Sequence, residues 1–174
     1  LRFKQFNEDW ECKLLDEVSK ITTGSTPPTS KKEYYGGNRL FVSPADIGDN
    51  RYVTSTKTTL TELGFNEGRE LDKGSVLFVC IGSTIGKTAQ INEVSVSNQQ
   101  INALTANSDN SNDFIFSLLS CNAKKIKRFA GVQAVPQINK TDFSKFKFYF
   151  PSLLEQQKIA EFLCSVDKKI QLLE

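Results

Sequence analysis

Hydrophobic positions fall into short runs separated by polar loops, and only the last stretch keeps a long helical period. Leu14, Val18 and Ile21 stand at helical spacing and predict a helix over 16–21, with Trp10 placed to pack against it. Residues 22–30 read as a hydroxyl-rich loop stopped by Pro27 and Pro28. Leu40, Phe41 and Val42 predict a short strand within 38–43, and Pro44 and Gly48 punctuate the turn after it. The threonine-rich stretch 53–63 is strand-like at first, and Gly64, Gly68 and Gly74 mark turns. Residues 75–81 form the strongest strand signal, continuous and apolar, with Val76, Val79 and Ile81 in it. A small-residue turn at 82–86 leads to a returning strand over 88–91, and 101–105 reads as another.

The polar loop 107–113 offers Asn112 or Asp113 as the cap of a helix carrying Phe114, Leu118, Leu119, Ile126 and Phe129 near one face. A loop with Pro136 covers 131–139, and 147–150 reads as a last strand. Ser152 and Glu155 have capping-box spacing. Beyond them Ile159, Leu163, Val166, Ile170 and Leu173 recur at intervals of 4, 3, 4 and 3, a heptad seam with Lys158, Glu161, Lys168 and Lys169 off it. So short a seam is not stable alone, so it needs a partner or a continuation. The other reading is an amphipathic helix docked on its own domain.

Composition narrows the class. At 174 residues with 39% hydrophobic content, the chain suits one globular domain, or one with an appendage. The net charge of +2 neither demands nor excludes a nucleic-acid partner, but its distribution is uneven. Lys124, Lys125, Lys127, Arg128, Lys140, Lys145 and Lys147 crowd 121–147, opposed only by Asp142. They make either a phosphate-facing patch or a solvated helix face. Cys12, Cys80, Cys121 and Cys164 are widely spaced and histidine is absent, so no zinc-ligand spacing exists. Reduced, largely buried thiols in a cytoplasmic protein are expected. The longest apolar run, 76–81, is far short of the ~20 residues that cross a bilayer, so no membrane partner is expected. A start at Leu1 and the lack of methionine suggest a piece of a longer gene product.

Without histidine there is no Ser-His-Asp triad, Cys-His pair or HExxH site. Residues 82–88 imitate a P-loop, but only three residues separate Gly82 from Gly86, and 88–91 alternates as a strand where a helix should open. A glycine-tipped hairpin loop presenting Ser83, Thr84 and Lys87 fits better. The polar loops hold the residue types that meet DNA: Ser25, Thr26, Lys31, Lys32, Tyr34, Tyr35, Arg39, Ser83, Thr84, Lys87, Asn98, Gln99, Gln100, Gln133, Gln137 and Lys140. Arg, Asn and Gln suit base edges, while Lys and hydroxyls suit phosphates.

Taken in order, these elements resemble the specificity-subunit family of type I restriction-modification systems. Gly24-Ser25-Thr26-Pro27 is similar to its Gly-x-Thr-Pro loop, and Tyr34-Tyr35-Gly36-Gly37 to its Tyr-Trp-Gly-Gly turn. Phe41-Val42-Ser43-Pro44-Ala45-Asp46-Ile47 resembles its Ser-Pro-x-Asp-Ile turn, and 76–87 its strand and Gly-Ser-Ile-Gly loop. Asn98-Gln99-Gln100-Ile101, Pro136-Gln137-Ile138-Asn139-Lys140 and Asp142-Phe143 resemble further elements. Leu154-Glu155-Gln156-Gln157-Lys158-Ile159-Ala160 resembles the start of its long helix, whereas 131–135 departs from the family loop.

The resemblance implies a non-enzymatic module that reads one half of a split double-stranded DNA site. It implies an α/β (α+β) recognition domain at 1–150, with a twisted mixed or antiparallel sheet flanked by helices, and the start of a coiled-coil spacer helix at 151–174. Leu1-Arg2-Phe3 resembles the opening of the family's first recognition half. Implied partners are a second recognition half, methyltransferase subunits and a restriction motor subunit. S-adenosylmethionine, ATP and Mg would reside on those subunits, with no cofactor on this chain. Two other readings stay open: a small P-loop phosphotransferase around Gly86, Lys87 and Thr88, and a protein-interaction module acting through the last helix.

Overall fold

The computed structural model describes residues 2–131 and 135–172. At its centre lies a five-stranded sheet in the order β2 (Ser19–Thr23), β10 (Ile101–Ala106), β7 (Val76–Val79), β8 (Thr88–Ile91), β4 (Tyr52–Val53). Its pairs are antiparallel except β4 with β8. A second sheet has the order β5 (Thr58–Leu60), β3 (Tyr35–Val42), β9 (Ser95–Ser97), β6 (Glu70–Leu71), with β3 and β9 parallel. A third, two-stranded sheet joins β1 (Glu11–Leu14) to β11 (Lys147–Phe150).

The continuous apolar run of β7 follows from burial on both faces. Val76, Phe78 and Cys80 join a core with Leu104, Phe114, Leu119 and Phe143, on the side of α3 (Asn112–Lys127), α4 (Lys140–Ser144) and α5 (Leu153–Gln171). Leu77 and Val79 join Ala89, Ile91, Ile101 and Ala103 against Val42 and Leu71 of the second sheet. That sheet is covered by α2 (Glu62–Asn66), where Phe65 packs with Phe41, Leu60 and Val96. The architecture is thus helices, sheet, sheet and a short helix, a mixed α/β fold of the expected class.

Several local expectations are corrected. The helix expected over 16–21 is a single turn, α1 (Leu15–Val18), and Ile21 lies in β2. The run Ile21-Thr22-Thr23 is β-branched, and β10 offers a full ladder from Asn102↔Thr23 to Ala106↔Ser19. Helix α3 is capped by Ser111, whose Oγ accepts from the Phe114 amide at 3.4 Å, and not by Asn112 or Asp113. Asn112 instead accepts from the Ala106 amide at 2.7 Å. The capping box of α5 does not form, because the Ser152 side chain makes no cap bond. Glu155 is buried 3.6 Å from Arg2, and Gln156 anchors the helix start instead. Gln156 Oε1 accepts from the Ser111 amide at 3.0 Å and its Nε2 donates to the Pro151 carbonyl at 2.9 Å.

Along the heptad seam, Ile159 is buried, Leu163 and Val166 are half-buried, and Ile170 is exposed, so the seam leaves the domain as it runs. Its first half docks beside α3, and Leu173 lies outside the described residues. No described helix is long and apolar enough to cross a membrane.

The thiols are not all buried. Cys12 and Cys121 are exposed and Cys80 is buried. Burial pushes the Cys80 thiol up to about 12, against the opposing hydrogen bond that Asn102 donates to its sulfur. At neutral pH a thiol reagent is expected to modify Cys12 and Cys121 promptly in the native protein, and Cys80 only after denaturant is added. Peptide mapping after timed alkylation reads this, and prompt native labelling of Cys80 would contradict its place in the core between the central sheet and its helices.

Candidate nucleic-acid interface

Four chain segments meet where β2, β7 and β9 end. The Gly24 amide donates to the Ile101 carbonyl at 3.0 Å, and the Ser25 amide to the Ser97 carbonyl at 2.8 Å. The Cys80 amide donates to the Gln100 carbonyl at 2.8 Å. The segment 136–138 then lies along 80–82, with Gly82 N donating to Pro136 O at 2.9 Å, Ile138 N to Cys80 O at 2.8 Å, and a bridge between Ile81 and Gln137. The result is a ridge of backbone and amide side chains across the end of the central sheet.

Side chains stitch the ridge. Thr26 Oγ1 donates to Gln99 Oε1 at 2.6 Å. Asn98 Nδ2 donates to Gln100 Oε1 at 3.0 Å, and Asn98 Oδ1 accepts from the Gln100 amide at 3.1 Å. Beneath them Thr23 Oγ1 donates to Asn102 Oδ1 at 2.7 Å, and Asn102 Nδ2 to Cys80 Sγ at 3.2 Å. Gln99 and Gln137 are exposed, while Asn98 and Gln100 are half-buried. An exposed carboxamide carries a donor and an acceptor side by side, which is the pattern adenine's major-groove edge accepts. The geometry therefore separates exposed carboxamides, Gln99 and Gln137, from the half-buried amides that support them.

The glycine loop beside the ridge is a hairpin turn. Gly82 and Gly86 have φ of 92° and 97°, a region glycine tolerates, and the chain proceeds into β8 rather than into a helix. Ser83 is exposed and Thr84 half-buried in this turn, and Lys127 Nζ reaches the Ser83 carbonyl at 3.0 Å. Lys127 was visible in the sequence only as one of a basic run. Nothing in its spacing announced that it meets residue 83. Arg69 is a second unforeseen member: its amide donates to Ser25 Oγ at 3.0 Å and its Nη1 to the Thr23 carbonyl at 2.9 Å.

Other candidates lie elsewhere. Lys87 Nζ donates to the carbonyls of Ile47 at 2.6 Å and Pro44 at 3.3 Å, so its charge ties two loops. Tyr34 is buried; its hydroxyl accepts from Lys31 Nζ at 2.8 Å and faces Glu67 Oε1 at 3.3 Å. That hydrogen bond raises the Lys31 amine above the ordinary lysine value. Arg39 stacks 3.9 Å over the Phe65 ring and sits 3.6 Å from Glu62. Tyr35 donates to the Pro27 carbonyl at 2.6 Å, and burial raises its phenol. Lys31, Tyr34, Tyr35 and Arg39 thus brace the second sheet and the segments around α2. Lys32 and Lys140 are exposed, and Gln133 lies outside the described residues. No group of acidic, cysteine or histidine side chains suited to a metal ion occurs among the described residues.

Comparison with known proteins points the same way. A 148-residue stretch is 30% identical to the type I restriction enzyme HindI specificity subunit of Haemophilus influenzae, covering 82% of this chain and 32% of that protein. The MjaIX specificity subunit of Methanocaldococcus jannaschii is 25% identical over 170 residues, covering 94% of this chain and 39% of the relative. The chain thus spans about a third to two-fifths of these relatives. Among solved structures, the HsdS subunit from Thermoanaerobacter tengcongensis superposes with a TM-score of 0.75 at 21% identity, over 97% of this chain and 40% of that one. A type I restriction-modification S subunit from M. genitalium gives 0.71 at 17% identity, over 98% and 42% of the two chains. These two likenesses concern the fold. The model of the type I restriction modification DNA specificity domain matches residues 7–174, and the chain belongs to that family.

Proposed function

We propose that this chain reads one half of a bipartite duplex DNA site and directs the methylation and cleavage carried out by partner subunits of a type I restriction-modification assembly. It is itself non-catalytic. The observation that carries the reading is the ridge, where exposed Gln99 and Gln137 stand on a scaffold stitched by Thr26, Asn98 and Gln100. Exposed carboxamides discriminate bases, and cations such as Lys127 and Lys140 beside them hold phosphates and fix the register. The emerging seam of α5 then extends to the second recognition half and to the methyltransferase subunits, with the motor subunit joining through them.

The test is a selection from a randomised duplex pool. The chain is joined to a second recognition half, assembled with a methyltransferase subunit, and challenged at moderate salt. A short fixed half-site is expected to be enriched. Gln99→Ala is expected to relax the choice at one base pair by about 1–3 kcal/mol, the worth of one bidentate contact. Gln100→Ala is expected to blur more than one position, because it releases Asn98. Salt-sensitive retention with no enriched sequence would reduce the function to nonspecific DNA affinity and reject the readout.

A further inference from the structure

The face between α3 and the β1–β11 sheet carries a groove of about 800 Å³ that the DNA-reading ridge does not use. Trp10, Phe146 and Phe148 form its apolar wall, together with Phe129 and Tyr149, which are 69% and 61% exposed. Phe129 does not dangle: its ring stands edge-on to Phe146 at 5.1 Å, and Phe146 backs in turn onto the buried Phe143 at 6.2 Å. The Trp10 indole N–H is buried and has no acceptor among the described residues. Among the described residues, Lys125, Arg128 and Lys147 also line the groove, no aspartate or glutamate does, and none of these three cations has an ion pair.

This surface is separate from the ridge. Lys125 and Arg128 are three residues apart and share one side of the helical segment, whereas Lys127, which reaches Ser83, is two residues from Lys125 and projects away from it. We propose that the groove docks an acidic peptide segment of a protein partner, with one or two aromatic or aliphatic side chains seated between Phe129 and Tyr149 and carboxylates meeting Lys125, Arg128 and Lys147. Charge complementarity decides the sign of the occupant. The braced aromatics decide its class, because duplex DNA offers a hydrophilic, phosphate-lined surface with little to bury against phenylalanine, and its interfaces are correspondingly polar. Exposed aromatics rimmed by cations are instead the anchor-and-rim arrangement of a protein contact.

The experiment is a selection of randomised peptides displayed on phage against the full chain, followed by titration of the enriched peptides. The expected sequences combine Asp or Glu with Phe, Leu, Ile or Trp, and their binding weakens with added salt. Binding is expected to fall at least about tenfold in Phe129→Ala and in Tyr149→Ala, and again in a Lys125→Glu/Lys147→Glu double variant. All four positions are exposed, so these variants should keep the parent's circular dichroism, and the enriched half-site of the duplex selection should be unchanged. Basic or uncharged enriched sequences would overturn the proposal, as would peptide binding indifferent to the four substitutions. Oligothymidylate that binds and is lost in the same variants would also overturn it, assigning the groove to single-stranded nucleic acid. Because the duplex readout is scored separately, failure here leaves the ridge reading intact, and failure there leaves the groove intact.

Discussion

Phe78→Ala is expected to lower the unfolding free energy by about 3–5 kcal/mol. Phe78 has no exposed surface, sits on β7 between β10 and β8, and stacks on Phe143 at 5.1 Å. Truncation removes the buried ring and leaves a cavity that neighbours on two paired strands are poorly able to collapse into. Domains of this size are typically stable by only about 5–15 kcal/mol, so the loss is a large fraction of the total. Urea unfolding followed by circular dichroism and by Trp10 fluorescence measures it, since Trp10 stands edge-on to Phe114 at 6.3 Å in the same core. The midpoint should fall with little change in slope. Phe129→Ala is the control, expected to cost well under about 1 kcal/mol because Phe129 is largely exposed. Equal, small costs at the two positions would refute the placement of β7 at the centre of the main core.

What the sequence disclosed follows the same physics. Strands buried on both faces, such as β7, announce themselves as unbroken apolar runs, and β8, β10 and β11 follow where glycines and polar loops bound them. Helix α5 announces itself by periodicity maintained over many residues. Residues 14–23 misled because Leu14, Val18 and Ile21 fit a helical period, while β2 is secured by β10, some eighty positions further along the chain. The very short β4, β6 and β9 carry too few residues for any period to show.

The candidate site was legible as residue types and illegible as an arrangement. Thr26 and Gln99 are 73 residues apart, and only the folded sheet brings them to 2.6 Å. Arg39, Tyr34 and Lys87 have the chemistry of DNA contacts, yet the fold occupies them with Phe65 and Glu62, with Lys31, and with the carbonyls of Pro44 and Ile47. Such engagements depend on partners that the local sequence does not name. The ordered series of short motifs escaped this difficulty, because a family resemblance samples the whole fold at once.

On the proposed reading, Gly24→Ala is expected to abolish the half-site preference while leaving a folded protein. A Cβ at residue 24 would lie 2.2 Å from the Asn98 carbonyl oxygen and 2.4 Å from that of Ser97, and both obstacles are backbone. Since φ at Gly24 is not in the left-handed region, the penalty is steric and cannot be relieved by choosing another side chain. Segment 24–26 must move away from 97–99, breaking the hydrogen bond that the Ser25 amide donates to the Ser97 carbonyl at 2.8 Å and the one that Thr26 Oγ1 donates to Gln99 Oε1 at 2.6 Å. The stability cost should be that of overpacking, about 1–3 kcal/mol, which a domain of ordinary stability survives. The recognition cost should be larger in effect, because base readout fails once donors and acceptors move by a fraction of a hydrogen-bond length. Gly48→Ala is the matched control, with nothing within 4 Å of its added Cβ. Both variants go into the duplex selection and a thermal melt. Loss of the enriched half-site in Gly24→Ala alone, with a modest fall in Tm, places the reading surface on the ridge. An undiminished half-site in a Gly24→Ala protein whose Tm has fallen would show that the two segments had parted without consequence for DNA, and the reading surface would have to be sought on another face.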